Sequence, residues 1–360
     1  MNLFRRIKSC LKKIILTLIN SDKPLDLDKK NKIMWIFRSK GWGDLFLSLY
    51  IPREIKKNTD CSLYFASYGK FCEFMQKDRN IDFFLPILKE YPHEYRLGIR
   101  NTLALLKSVS KIKPDLLFFM DWLPFHLVIL FKMAGAKHIV CEGNELPSNN
   151  FIDYAFHIST ERYVKEILAD GFLKIFGKQP DIHCSFNIDR SAYTKAKEKI
   201  SQANKKNMPF ILFNTEGSSK IKSLSRKNIV STVLALSRDF PGLFTLAICY
   251  KYDVPEIPYC ENAAVIKCTD IHQLIAMAEM SAGIISVDTS VIHIADILRK
   301  PLTGLYQPSK GKISKYYQTQ RKNCVNLINE KTINDISSEE ISAALARTLI
   351  LSGLDSLIKQ

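Results

Sequence analysis

The sequence predicts an α/β chain of two doubly wound domains facing a central cleft. Short β-branched apolar runs alternate with helical patterns from Lys32 to about residue 306. At 360 residues the chain exceeds the size at which one core usually stops growing. Each half also opens on a strand that runs into a polar loop, the place where open α/β sheets take their ligands.

Composition sets the frame. Hydrophobic residues make up 46% and charged residues 24%, the proportions of an ordinary globular protein. The 52 basic and 36 acidic residues give +16, which favours an anionic partner: nucleic acid, a phosphorylated substrate or a membrane surface. No nucleic-acid motif accompanies that charge, and aromatic residues do not interleave with a basic patch in any one segment, so no nucleic-acid partner is expected. Nine scattered cysteines form no CxxC pair, which leaves zinc without support and suits small buried hydrophobes in a reducing compartment. No apolar run approaches the roughly 20 residues that span a bilayer.

Residues 1–20, MNLFRRIKSCLKKIILTLIN, place Leu3, Phe4, Ile7, Leu11, Ile14, Ile15 and Leu18 on one helical face. Arg5, Arg6, Lys8, Lys12 and Lys13 take the other. Such a helix lies in the interface of an anionic membrane; the same pattern would also serve a helix packed on the protein body. Residues 21–31 read as a polar linker, and its Asp26-x-Asp28 as solvated charge.

Lys32–Phe37 is the first strand, followed by the loop Arg38–Asp44 with Gly41 and Gly43, which allow a sharp turn. Leu45–Ile55 has a helical rhythm that Pro52 should kink or end. Asp44 sits at the mouth of that helix, where it could meet a ligand or serve as an N-cap. Strands follow at Ser62–Ala66, Leu116–Met120 and His138–Cys141, with helices near 69–77, 101–111, 124–134 and 161–178. Residues 142–160 read as irregular, and the lysine-rich helix 191–207 as an interdomain connection.

A second series begins with strand Phe210–Asn214 and the loop Asn214–Lys222, rich in hydroxyls and lysines. That loop could bind phosphate, or be a turn. Helix 227–238, strands 243–249 and 263–266 and helix 271–280 lead to Gly283–Asp296, GIISVDTSVIHIAD. There an apolar strand runs into the cap residues Asp288, Thr289 and Ser290, and His293 falls one turn on. Converging backbone N–H groups make this a seat for phosphate or carboxylate, although an ordinary capped βα unit reads the same way. A strand at Pro301–Tyr306, a basic loop to about 322 and a helix at Ser337–Gly353 complete the chain. The expected boundaries are 1–24 for the basic helix and linker, 25–190 and 191–335 for the two domains, and 336–360 for a C-terminal helix packing back on the N-terminal domain.

Three segments, in order, resemble the ADP-heptose:lipopolysaccharide heptosyltransferases, glycosyltransferase family 9. They are Lys40–Pro52 (KGWGDLFLSLYIP), similar to the family's strand–GD–helix opening; Phe213–Lys222 (FNTEGSSKIK), similar to its NPGAS…KRWP loop; and Ser286–Ala295 (SVDTSVIHIA) with Lys300-Pro301, similar to its S-x-D-T-G-x-x-H-x-A…x-P signature. The resemblance implies a GT-B fold of two Rossmann-like domains, the first binding the acceptor and the second the nucleotide-sugar. It implies inverting, metal-independent transfer of a heptose from ADP-heptose to a lipid-linked or oligosaccharide acceptor, with no cofactor. A cytoplasmic enzyme peripheral on the inner membrane face would use residues 1–20 as its anchor.

The resemblance also implies roles. Asp44 falls on the general base, with Gly41 and Gly43 in the acceptor-side loop. Lys222 falls on the lysine that neutralises the donor diphosphate, with Ser218, Ser219 and the rival Lys220 beside it. Asp288, Thr289, Ser290 and His293 fall on the donor-binding turn, and Thr269 near the base. Three positions depart from the pattern. Ser290 replaces a glycine, Ser223-Leu224-Ser225 replace Arg-Trp-Pro, and the acid expected after strand 243–249 for the ribose has only Asp253 as a counterpart.

Overall fold

The computed structural model describes residues 25–27, 29–39, 41–89, 98–142, 154–156, 162–251, 253–308, 318 and 321–358. The amphipathic helix expected over 1–20 lies outside them. Among the described residues no helix is long and apolar enough to cross a membrane.

The first unit is built on β1 (Asn31–Ile36), which β2 (Cys61–Tyr68) and β4 (Leu116–Trp122) pair along its two edges. Its side chains are buried almost throughout, as in a parallel sheet with helices over both faces. The helical rhythm after β1 resolves into two helices, α1 (Trp42–Leu47) and α2 (Ile51–Asn58). Pro52 lies in the first turn of α2, where a missing N–H breaks no helical bond, so the proline starts a helix instead of ending one. Then follow α3 (Gly69–Met75), β3 (Phe83–Leu88), α4 (Ile99–Ile112), α5 (Phe125–Met133), β5 (His138–Glu142), β6 (Tyr154–Phe156) and α6 (Val164–Phe176). The strands are all parallel in the order β3-β2-β1-β4-β5-β6. Trp35 packs on Phe65 with ring centroids 4.7 Å apart, and Phe37 on Phe71 at 5.2 Å.

The second unit contains α7 (Arg190–Ala203), β7 (Phe210–Asn214), α8 (Arg226–Asp239), β8 (Phe244–Cys249), β9 (Ala263–Lys267), α9 (Ile271–Met280), β10 (Gly283–Val287), α10 (Ser290–Ile297), β11 (Leu302–Tyr306), β12 (Cys324–Ile328) and α11 (Ser338–Leu351). Its sheet, β12-β11-β10-β7-β8-β9, is again all parallel and repeats the topology of the first. The doubly wound α/β class is therefore as expected, twice over.

Domain membership differs from the sequence expectation. The second unit begins at His183, before residue 191, and it also takes Gly41–Leu47, hence α1, out of the N-terminal half. The physical reason is local packing: Phe46 of α1 is fully buried and lies edge-on to Phe186 at 5.1 Å. Helix α7 is no connection between domains. Ala192 and Ala196, one turn apart, let it lie against α9 of the second unit. The last helix belongs to the second unit: Ile341, Leu345 and Leu349 of α11 join Val233, Leu236 and Ile285 in its core.

Helix α11 opens on a capping box. Glu340 N donates to Ser337 Oγ at 3.1 Å and Ser337 N donates to Glu340 Oε2 at 2.8 Å. Those bonds from Ser337 hold the Glu340 carboxyl below its usual range. A depressed carboxylate stabilises the fold above its unfolded pKa of about 4.3, and that contribution fades as pH falls through the lower folded value. Ser337→Ala should cost about 1 kcal/mol in denaturant unfolding at neutral pH. Glu340→Gln should lose its deficit relative to the parent as the solution is acidified.

Candidate active site

In the second sheet the strand order reverses between β7 and β10. These neighbours send their following helices to opposite faces, which leaves a crevice at their carboxyl ends. Asn214 ends β7 in register with Ser286 of β10. Its buried Nδ2 donates to Ser286 Oγ and to Thr289 Oγ1, each at 3.0 Å. Thr289 is the N-cap of α10 and accepts from Val291 N at 3.2 Å. One amide thus ties the end of β7 to the strand–helix turn that carries Asp288. Ser290 opens α10 without a positive φ, so the serine that stands where the resemblance expects glycine costs the backbone nothing.

The loop after β7 is folded back on itself. Gly217 N donates to Ser223 Oγ at 2.9 Å, and Ser223 Oγ donates to Ser219 O at 2.9 Å. A Cβ on Gly217 would lie 2.3 Å from Lys222 O and 2.5 Å from Lys222 Cβ, so only glycine fits there. The close approach delivers the 3₁₀ turn Lys220–Lys222, from which Lys222 Nζ reaches Asp288 Oδ2 at 2.6 Å. Lys222 and Asp288 are 34% and 20% exposed at the side chain, shielded enough for charge to count and open enough to exchange partners. Ser218, Ser219 and Lys220 are exposed on the same loop, and the structure gives the contact with Asp288 to Lys222.

Helix α1 packs on α10. The contact is closest at Gly43, where an added Cβ would lie 2.9 Å from His293 Cδ2 and 3.7 Å from Ser290 Cα. His293 is buried. Gly41 and Asp44 are half-buried, with Asp44 in the first turn of α1 and not at its cap. Asp44, Gly43, Ser290 and His293 therefore belong to one unit with Lys222 and Asp288. The far end of α10 is fixed as well: Arg321 donates to Ala295 O and Lys300 O at 3.0 and 2.9 Å, and lies 3.2 Å from Asp296. Tyr163 donates to Asp296 at 3.2 Å, and burial together with that carboxylate pushes its hydroxyl well above the ordinary value.

Sequence reasoning passed over Glu216. Its carboxylate is 1% exposed and accepts from Tyr250 N and Lys251 N at 2.8 and 2.7 Å. Tyr250 OH donates back to Gly217 O at 2.5 Å, and Lys251 Nζ to Ser218 O at 2.6 Å. The phosphate-loop candidate and the loop after β8 are thereby latched to each other. An acid immediately before the loop glycine was the available signal, since a buried carboxylate must find donors. Beside it, burial and the neighbouring Glu216 charge keep the Cys249 thiol above its ordinary value, against the Thr215 hydroxyl that opposes them. Thr269 is exposed, one residue before Asp270, the N-cap of α9. Asp253, the ribose candidate, stands in solvent 3.6 Å from Arg226.

Residues 256–342 match the sequence profile described as glycosyltransferase family 9 (heptosyltransferase). The match is to the family that the three sequence segments resemble. It takes in Thr269, Asp288, Thr289, Ser290 and His293. Among solved structures, a glycosyl transferase family 9 protein of Veillonella parvula superposes with a TM-score of 0.71 at 16% identity, covering 91% of this chain and 99% of that one. The ADP-heptose lps heptosyltransferase II of E. coli gives 0.64 at 13% identity, over 89% of this chain and 99% of that one. The profile agrees with the resemblance to family 9 over residues 256–342 and supports a glycosyltransferase enzyme, and the superpositions bear out the GT-B class of α/β fold. A curated relative, the photosynthetic NDH subunit of subcomplex B 1, chloroplastic, of Arabidopsis thaliana, is 23% identical over 209 residues. That alignment covers 55% of this chain and 44% of the relative, so the chain spans under half of that protein's length.

Proposed function

We propose that the chain transfers a heptose from ADP-heptose to a lipopolysaccharide-core or related surface-glycan acceptor, inverting the anomeric centre without a metal. The observation that carries this reading is the Lys222–Asp288 pair beside the Asn214-tethered N-terminus of α10, at the topological switch point. A leaving nucleoside diphosphate builds negative charge there. Lys222, turning from Asp288 to a phosphate oxygen, and the backbone N–H groups opening α10 supply the opposing charge. The acceptor oxygen bonds to the anomeric carbon as the bond from that carbon to the diphosphate oxygen breaks. The diphosphate leaves with the electron pair, and Asp44 takes the acceptor hydroxyl proton. ADP-heptose is chosen because the E. coli structural neighbour is named for it. Residues 1–20 would hold the enzyme on the cytoplasmic face of the membrane.

Thermal unfolding with ADP, UDP, GDP and their sugars tests the donor. ADP at a hundredfold excess over its Kd should stabilise by about 2.7 kcal/mol, read as a raised Tm, and radiolabelled ADP-heptose should label a lipid A-core acceptor. A response to UDP or GDP alone would overturn the donor assignment. Salt-sensitive stabilisation by DNA with none by ADP would favour a non-catalytic basic binding protein, the reading that the +16 charge alone suggests.

A further inference from the structure

The two helices α4 and α5 of the first unit leave large apolar side chains in solvent. Ile99 is 80% exposed, Leu103 61%, Met133 67% and Leu130 38%. In the order β3-β2-β1-β4-β5-β6 the crossovers β3→β4 and β4→β5 advance in the same direction. Right-handed crossovers therefore set α4 and α5 on the same face of the sheet, where they touch. Leu105 and Val109 of α4, and Leu127, Val128 and Phe131 of α5, are buried. The residues on the opposite arc of each helix must face away from the sheet. On α4 that arc holds Ile99 and Leu103, flanked within about 120° by exposed Arg100, Lys107 and Lys111. On α5 it holds exposed His126, Leu130 and Met133. Neither helix, IRNTLALLKSVSKI or FHLVILFKM, contains an acidic residue.

Apolar side chains with a basic margin, on two helices that carry no carboxylate, fit an anionic apolar surface. We infer that the outer face of α4 and α5 docks on an anionic lipid bilayer. Ile99, Leu103, Leu130 and Met133 enter the headgroup–acyl boundary while Arg100, Lys107 and Lys111 meet lipid phosphates. A second copy of the chain suits the face badly, because a twofold contact would bring these cations against their own copies in a protein of net charge +16. The residues of this face are other than residues 1–20 and those of the donor turn, and the test distinguishes them.

The full-length chain carrying Leu103→Trp is mixed with vesicles of equimolar phosphatidylcholine and phosphatidylglycerol, with brominated phosphatidylcholine as the quencher. The parent, with its 3 tryptophans, gives the background. The introduced indole should shift to the blue and be quenched by the brominated lipid. The triple variant Arg100→Gln, Lys107→Gln, Lys111→Gln should partition about fivefold less per charge removed, and only on the anionic vesicles. Cosedimentation without quenching would show that another segment holds the membrane and would overturn the inference. So would a blue shift that grows with protein concentration in the absence of lipid, the sign of a second copy on this face. Neither outcome bears on sugar transfer, which is read separately with ADP-heptose.

Discussion

Asp44→Asn should fold and bind ADP as the parent does while transferring sugar about 10²–10⁴-fold more slowly, the range a positioned general base contributes. The amide keeps the shape of the carboxylate and its place in the first turn of α1, but it cannot take a proton. Because α1 belongs to the same unit as Lys222 and Asp288 and packs on α10, that helix contact positions Asp44 for the proposed role of base. Gly43→Ala supplies the second arm. Its Cβ would meet His293 Cδ2 at 2.9 Å and push α1 off α10, and a displacement of about 1 Å can cost 10²-fold. Single-turnover transfer and calorimetric ADP titration, run on both variants, separate chemistry from binding. Asp44→Asn with parental turnover would remove Asp44 from the base role, and Gly43→Ala with parental turnover would show that the α1–α10 contact does not place it.

Much of this architecture was legible in the sequence, for a physical reason. Central parallel strands are buried on both faces, so β1, β2, β4, β7, β8 and β10 read as mainly apolar runs, and the run Gly283–Val287 coincides with β10. The strands that escaped, β3, β6 and β12, all lie at sheet edges. β3 is half exposed and carries Pro86, which an edge tolerates and a central strand does not. The allegiance of α1 could not be read, because it rests on Phe46 meeting Phe186 and Gly43 meeting His293, partners far along the chain. Within the site the same division holds. The cap at Thr289 follows from local spacing, whereas the Glu216 latch needs Tyr250 and Lys251 from a different βα unit.

Lys222→Met should lower kcat by about 10²–10³-fold, the loss seen when one preorganised charge stabiliser is removed, while ADP binds more weakly but measurably. Stability should change by no more than about 1 kcal/mol, since the ion pair with Asp288 is partly open to solvent and screened. Lys220→Met is the control. That lysine is exposed on the same 3₁₀ turn, so its loss should leave kcat near the parental value and at most weaken donor capture at low salt. A reversed result, with Lys220→Met crippled and Lys222→Met active, would move the phosphate role one loop position away. Asp288→Asn completes the comparison. If Lys222 turns from Asp288 to the diphosphate during the reaction, freeing the lysine should tighten ADP binding, whereas a carboxylate that itself holds the donor would lose affinity. The sign of that one change distinguishes a lysine restrained by Asp288 from a lysine and aspartate that grip the donor together.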